Sequence, residues 1–262
     1  PLDGNHGKGS SINVNDVETA ILGLAHAQNF SQKVIVERYI TGYDFRILVI
    51  NHKMVAAARR VPAHIIGDGD LSIQELIDKE NLDPRRGYGH ENVLTEILVD
   101  KDTNELLEKL HYTLETVPKN GEIVYLKSTA NLSTGGTSID VTDMVHPENI
   151  VMAERVSRII GLDVAGIDIM AENLTQPLRE SGGAIFEVNA APGFRMDMAP
   201  SEGLPRNVAA PGVDMLYPQG KPVRVPIIAV TGTNGKTTTT RLISHIVKNN
   251  EFRVGFTTSD GI

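Results

Sequence analysis

Val164-Ala165-Gly166-Ile167-Asp168-Ile169-Met170 and, one loop later, Ala184-Ile185-Phe186-Glu187-Val188-Asn189 are the stretches on which the fold of this 262-residue sequence turns. Both are short, apolar and rich in β-branched residues, which predicts two strands. Asp168 is an acid in the middle of an apolar strand. Glu187 and Asn189 stand two apart, so on a regular strand they share a face. Three hard oxygen donors converging from adjacent strands suit Mg²⁺, which takes a few carboxylates and completes its shell with phosphate and water. A strand pair with one face in water would show the same pattern.

Outward from this pair, Pro147–Ile160 predicts a helix, with Pro147 at its start and Gly161 to end it. Val151, Val156, Ile159 and Ile160 are expected along its inner side. Earlier, Val34–Tyr39, Arg46–Ile50 and Met54–Ala58 read as strands, with turns at Gly42 and Asn51-His52. A helix is expected over Asn15–Asn29, capped by Asn15 with Glu18 three residues on. Ser72 with Glu75 forms a capping box before a short helix ending near Asn81. Asp83–Asn92 reads as an exposed loop, Thr103–His111 as a short helix and Glu122–Leu126 as a strand. Six prolines from Pro200 to Pro226 punctuate a stretch of little periodicity, which predicts a linker or bridging loop.

A second motif follows it. Ile227–Thr231 reads as a strand, Thr237–Asn249 as a helix and Val254–Thr257 as another strand, the opening of a βαβ unit. Between the first two lies Gly232-Thr233-Asn234-Gly235-Lys236-Thr237-Thr238. Such a turn aims backbone N–H groups at a phosphate, and the helix N-terminus adds partial positive charge. Lys236 would neutralise outer phosphates, and Thr237 or Thr238 could hold Mg²⁺ through its hydroxyl. The loop is a variant, because Val230 stands where the general P-loop pattern has glycine. It resembles the loop of the Mur ligases and folylpolyglutamate synthetases, which activate a carboxylate as an acyl phosphate and join it to an amine.

The opening Asp3-Gly4-Asn5-His6-Gly7-Lys8-Gly9-Ser10 is a Gly-rich loop before a helix. Val36-Glu37-Arg38-Tyr39-Ile40-Thr41-Gly42-Tyr43-Asp44-Phe45-Arg46 runs from apolar to charged, turns at Gly42, and resumes with an acid and a base. Together with Asp168, Glu187 and Asn189, these stretches resemble the ATP-grasp ligases. The resemblance implies an α/β fold of ATP-grasp type, with α+β antiparallel-sheet subdomains, over residues 1–200. A linker is then expected over 201–224, and the start of a Mur ligase-like P-loop domain over 225–262. It implies that Gly4, Asn5, Gly7, Lys8 and Gly9 cover the ATP phosphates, and that Glu37, Arg38, Tyr39 and Ile40 form the hinge along adenine. Asp44 would sit on the ribose hydroxyls. Arg46 would face phosphate or a substrate carboxylate, and Asp168, Glu187 and Asn189 would be the Mg²⁺ ligands. Ala191-Pro192-Gly193 follows them as in the D-alanine–D-alanine ligases.

An ATP-grasp module joined at once to a Mur-like P-loop resembles a family of polymer synthetases. These build a poly-aspartate backbone and attach arginine to each side-chain carboxylate. Residues 1–9 and Tyr125–Thr142 carry that likeness. It implies ATP and Mg²⁺ as cofactors and aspartate, arginine and an Asp/Arg primer as partners. Ser133, Gly135 and Gly136 form a polar loop that could hold a peptide carboxylate or be ordinary surface. His6 could contact phosphate or take the proton of the attacking amine, or be a solvated loop histidine. Arg59 and Arg60 point to opposite faces of a strand, so at most one enters the site, and Arg60 is the better candidate. His64 and His90 have no motif behind them. Another tandem ATP-grasp ligase, and a nucleotide-binding module without turnover, are the alternative readings.

The bulk composition agrees. Lys and Arg number 25 against 33 Asp and Glu, a formal net charge of −8, which argues against binding nucleic acid. There is no cysteine, which excludes disulfides and thiolate sites and fits a reducing, cytoplasmic setting. No apolar run approaches the length of about 18 residues needed for a membrane span. A start inside a Gly-rich loop and an end just after an apparent strand suggest an internal segment of a longer chain, homo-oligomeric when whole.

Overall fold

Largely apolar runs at Tyr43–Ile50 (β1), Lys53–Val61 (β2) and Val164–Ala171 (β8), interrupted by a few charges, build the central sheet. The computed structural model describes residues 1–2, 9–12, 14–89, 92–221 and 224–259. The remaining elements are α1 (Val17–Gln28), β3 (His64–Ile66), α2 (Ile73–Asn81), β4 (Arg86–Gly87), β5 (Leu94–Thr95), α3 (Lys101–Lys109), β6 (Ile123–Tyr125), β7 (Thr137–Asp140), α4 (Pro147–Ile160), α5 (Leu178–Ser181), β9 (Ala184–Asn189), α6 (Arg195–Met198), α7 (Ala209–Leu216) and α8 (Lys236–Asn249). They fall into two compact units, residues 1–216 and 217–262.

The first unit is organised on a five-stranded antiparallel sheet in the order β7-β2-β1-β8-β9. Asn51 and His52, both at positive φ (51° and 58°), make the tight turn between β1 and β2, the mirror-image geometry that matches strand twist. One face of the sheet carries Phe45, Ile47, Val49, Ala57, Ala165, Ile167 and Ile169, all buried in the main core against α4. Each of those isoleucines contributes about 1.5–3 kcal/mol by leaving water. The opposite face bears the charges. A second apolar cluster joins Ile65 and Val124 of the small β3-β6 sheet to Ile73, Leu76 and Ile77 of α2 and Leu107 of α3.

The helices start and stop largely where their caps predict. Ser72 and Glu75 exchange both bonds of the capping box. Gly161 ends α4 in the left-handed region at φ 79°, where a side chain would be strained. Helix α1 is capped by Asp16 rather than Asn15, the Asp16 carboxylate accepting from the Thr19 N–H. The inward side of α4 is also different from the expected one. Asn149, Ala153 and Ser157 are buried, whereas Val151, Ile159 and Ile160 are exposed. Small residues let the helix lie close to the sheet. Asn149 earns its place by bonding Leu174 O, Gln176 O and Leu178 N, which pins the chain after β8.

Three expected strands do not form. Val34–Tyr39 has no ladder partner and is largely solvent-exposed. Ile227–Thr231 and Val254–Thr257 likewise flank α8 without a ladder, with Ile227 and Ile228 exposed. β-branched composition favours extended backbone, but a strand is defined by its neighbours, and these stretches have none among the described residues. The polar stretch Asp83–Asn92 contributes β4, paired in parallel with β5. The proline-punctuated stretch contributes α7, and Val208 and Met215 pack on Leu48, Ile50 and Ala56.

Candidate active site

A single cross-strand row carries the charges of the open face. Asp140 of β7 pairs with Ala58 of β2, Ala58 with Arg46 of β1, Arg46 with Asp168 of β8, and Asp168 with Glu187 of β9. Opposed residues in a sheet stand about 4.5–5.5 Å apart, so the row places Arg46 beside Asp168 and two acids, Asp168 and Glu187, beside each other. Asp168 is the hub. Its carboxylate accepts from Arg46 Nε at 2.5 Å and Nη2 at 2.7 Å, from Arg60 Nη2 at 3.0 Å, and from Asn189 Nδ2 at 3.3 Å. Arg60 also donates to Asp44 from Nε at 2.9 Å and Nη2 at 2.6 Å. The Asp168 side chain is almost fully buried, and both guanidinium groups are nearly so.

Burial alone would weaken the Arg46 charge, but the bonds and field of Asp168 hold its pKa above the ordinary arginine value. Burial pushes Asp44 above the usual carboxylate range, against the pull of Arg60. Two buried guanidinium groups held in place by carboxylates present fixed donors of the kind that suit an anion.

The expected metal ligands do meet. Asp168 and Glu187 are register partners, and Asn189 bonds Asp168. Glu187 is exposed and enters no ion pair among the described residues. Two carboxylates and an amide fit the donor chemistry of a hard divalent cation. The fit has a condition: Asp168 already takes four N–H donors, three on Oδ2 and only Arg46 Nε on Oδ1, so a cation would share the carboxylate with two guanidinium groups.

Other expected residues lie as follows. Gly4, Asn5, His6, Gly7 and Lys8, and also His90, lie outside the described residues, while Gly9 is buried under Phe30. Glu37, Arg38 and Tyr39 are exposed and Ile40 half-buried. Arg59 leaves the charged face and stacks over Tyr43, 4.7 Å from the ring centroid. His64 contacts the Pro62 carbonyl through Nδ1 at 2.9 Å. Ser133, Gly135 and Gly136 form the turn entering β7, with Asn131 holding the Ser133 N–H. A Cβ on Gly136 would stand 2.7 Å from Asn131 O and 2.8 Å from Val61 O, so only glycine fits.

In the second unit Gly235 opens α8 in the left-handed region. Lys236 Nζ donates to Gly232 O at 2.7 Å and to Thr233 O at 3.4 Å. Thr237 Oγ1 stands 3.5 Å from Ser259 Oγ. Lys236 and its neighbours on this turn are largely exposed to solvent.

One residue of the charged face escaped the sequence reading. Asp197 of α6 is buried, and among the described residues neither of its carboxylate oxygens has a hydrogen-bond partner. Burial pushes its carboxyl up to about 7, against the pull of Arg46 and with added repulsion from Asp140. The signal was an acid inside the apolar run Met196-Asp197-Met198-Ala199, the same signal that marked Asp168. Asp140 differs, because Arg206 grips it at 2.6 Å and also reaches Asp143 at 2.7 Å.

No family model matches the chain. Over its whole length it is 58% identical to the cyanophycin synthetase of Synechocystis sp., covering 30% of that protein. The chain is similar, end to end, to a segment of the cyanophycin synthetases. It thus spans about a third of the length of the curated relatives it matches. Over 83% of the chain it is 33% identical to the glutathione biosynthesis bifunctional protein of Listeria monocytogenes, covering 28% of that protein. The bifunctional glutathione synthetase of Pasteurella multocida superposes with a TM-score of 0.65 at 30% identity, over 83% of this chain and 30% of that one. The fold is accordingly mixed α/β with an antiparallel sheet, of the ATP-grasp ligase type. Among the described residues no helix is long and apolar enough to cross a membrane.

Proposed function

We propose that this segment belongs to an ATP-dependent ligase of the cyanophycin-synthetase kind, which extends an aspartate backbone at an ATP-grasp site and adds arginine at a Mur-like site. The supporting observation is the end-to-end 58% identity to such a synthetase, joined to a charged sheet face suited to phosphate and carboxylate. The reading puts the whole protein in the cytoplasm as a homo-oligomer.

In this reading the C-terminal carboxylate of the growing chain attacks the γ-phosphorus of ATP. The bond to the bridging oxygen breaks and ADP leaves. The amine of aspartate then attacks the acyl carbon, the C–O bond to phosphate breaks, and an amide and inorganic phosphate remain. Arg46 and Arg60 hold the anionic groups in line and spread the developing charge. Arg60 is fixed for this by Asp44, and Arg46 by Asp168. His6 is the candidate acceptor of the ammonium proton, and Ser133, Gly135 and Gly136 the candidate cradle of the chain-end carboxylate. Mg²⁺, held by Asp168, Glu187 and Asn189, would neutralise phosphate oxygens when bound. At the second site Lys236 and the N–H groups of Gly232–Thr238 would serve the ATP that activates the aspartate side chain for arginine.

The test is phosphate release by the intact protein with a short Asp/Arg primer, ATP and Mg²⁺, supplied with aspartate, arginine, or both. Release that needs primer and aspartate, with arginine added in a separate step, supports the reading. Release that ignores both amino acids defeats it. The similarity to glutathione-forming proteins at 30–33% identity favours a tripeptide-type ligase as the second reading, and glutathione formation in the same assay would select it.

A further inference from the structure

Two features of the charged face are unexplained so far: the crowding of Asp168 by two guanidinium groups and the unclaimed carboxylate of Asp197. They complement each other. A divalent cation on Asp168 would be repelled by the two guanidinium groups bonded to the same carboxylate, and Arg46 holds it through two of those bonds. Arg60 has somewhere to stay, because it already makes two bonds to Asp44. Among the described residues Arg46 bonds no second carboxylate: both its charged bonds go to Asp168, and Asp44 and Glu187 act on it only through their field. Stranding a guanidinium that is only 13% exposed would cost several kcal/mol. Asp197 is buried, has both oxygens free, and feels Arg46 as its attractive charge.

Placement supports the pairing. In the cross-strand row Ala58 separates Asp140 from Arg46, and its short side chain leaves the level above it open. Helix α6 fills that level, with Met196 packed on Ala58 and Leu132. Asp197 follows Met196. Helix α6 is held there by the Ser138 hydroxyl, which donates to Met196 O, and by the Arg206 N–H, which donates to Asp197 O. Asp140 cannot serve Arg46 instead, since Arg206 already holds it from two sides.

We infer that Asp197 is a positioning residue for Arg46: when a divalent cation takes Asp168, the Arg46 guanidinium passes to Asp197. The inference rests on the reading of Asp168 as a metal ligand. The handover keeps Arg46 paired in both states and leaves its charge on the face where an anionic substrate docks. A buried carboxylate with no partner is otherwise a standing cost to the fold.

The test uses Mn²⁺ alone, titrated into the intact protein and followed by electron paramagnetic resonance, for wild type, Asp197→Asn and Asp168→Asn. Wild type should bind Mn²⁺ and Asp168→Asn should not. Asp197→Asn should bind at least tenfold more weakly, because the isosteric amide cannot receive the guanidinium charge. Binding near pH 6.5 should also release a proton in wild type, as Arg46 of β1 arrives beside Asp197 and outweighs Asp140 of β7. That release should vanish in Asp197→Asn. Equal Mn²⁺ affinity and equal proton release in wild type and Asp197→Asn would overturn the handover while leaving the metal site standing. Absence of Mn²⁺ binding in wild type, or equal binding by Asp168→Asn, would overturn the metal reading and the handover with it.

Discussion

Replacing Asp168 by Asn separates what the charged face does for stability from what it does for chemistry. The substitution keeps shape and one acceptor oxygen but removes the charge facing two guanidinium groups, whose side chains are only 13% and 12% exposed. Removing one partner of a buried ion pair costs about 3–5 kcal/mol, because the other charge is left uncompensated. Arg60 retains Asp44, and the amide oxygen still accepts one bond, so the low end applies, about 3 kcal/mol. For a unit of this size about 1 kcal/mol moves the melting temperature by roughly 2–4 °C, which predicts a fall of about 6–12 °C. Glu187→Gln is the control. Glu187 is exposed and outside any ion pair among the described residues, so its stability effect should stay within about 0.5 kcal/mol. Both variants should lose aspartate addition. The assay is thermal unfolding by calorimetry beside primer extension. A melting temperature for Asp168→Asn within 2 °C (about 0.5–1 kcal/mol) of wild type would refute the hub role assigned to Asp168. The double substitution Arg46→Met with Asp168→Leu should recover most of the lost stability, as apolar replacement of whole buried pairs does.

Three further outcomes are expected. The Asp197 carboxyl, raised to about 7 from 3.8, binds more protons folded than unfolded, so its contribution to stability falls as pH rises from about 4 to about 7. Asp197→Asn should therefore stabilise the protein by a few kcal/mol at pH 8 and hardly at all at pH 4, measured by denaturant unfolding at both pH values. Lys236→Ala should abolish arginine addition and leave aspartate addition intact, read by mass gain on the primer. Gly136→Ala should destabilise by about 1–3 kcal/mol, since its Cβ would press on two backbone carbonyls, with the change in urea midpoint as the readout.

The sequence was most readable where side-chain period and burial agree. Strands β1, β2, β8 and β9 alternate between core and charged face, and α4 has proline at its start and glycine at its end. It misled where composition stood in for context. Val34–Tyr39 and Ile227–Thr231 have the residues of strands without neighbours to pair with. On α4 Val156 packs on the core as expected, but Val151, Ile159 and Ile160 are exposed, because close packing on a sheet selects Asn149, Ala153 and Ser157. The acids of the site were visible as polar interruptions of apolar strands, but their arginine partners were not paired with them, because pairing depends on register across more than 100 residues of chain. Asp197 was missed because a four-residue helix has no period to read.

The β8–β9 ladder slips by one residue beside Asp168. Asp168 stands opposite Glu187, yet Ile169 stands opposite Ile185, so Phe186 is skipped. Glu187 consequently shares the charged face with Asp168, while Ile185 and Val188 both pack into the core. In the vocabulary of coding, β9 is read in steps of two and Phe186 is a frameshift, the kind of bulge that re-aims a side chain. Removing Phe186 would leave every other residue of β9 in frame, an uninterrupted alternation with Glu187 still beside Asp168. Inserting one residue after it would restore the same plain alternation, with two residues between Ile185 and Glu187 and those two still on opposite faces. A one-residue length change is thus absorbed at the bulge, whereas the same change between Glu187 and Asn189 would put those two side chains on opposite faces.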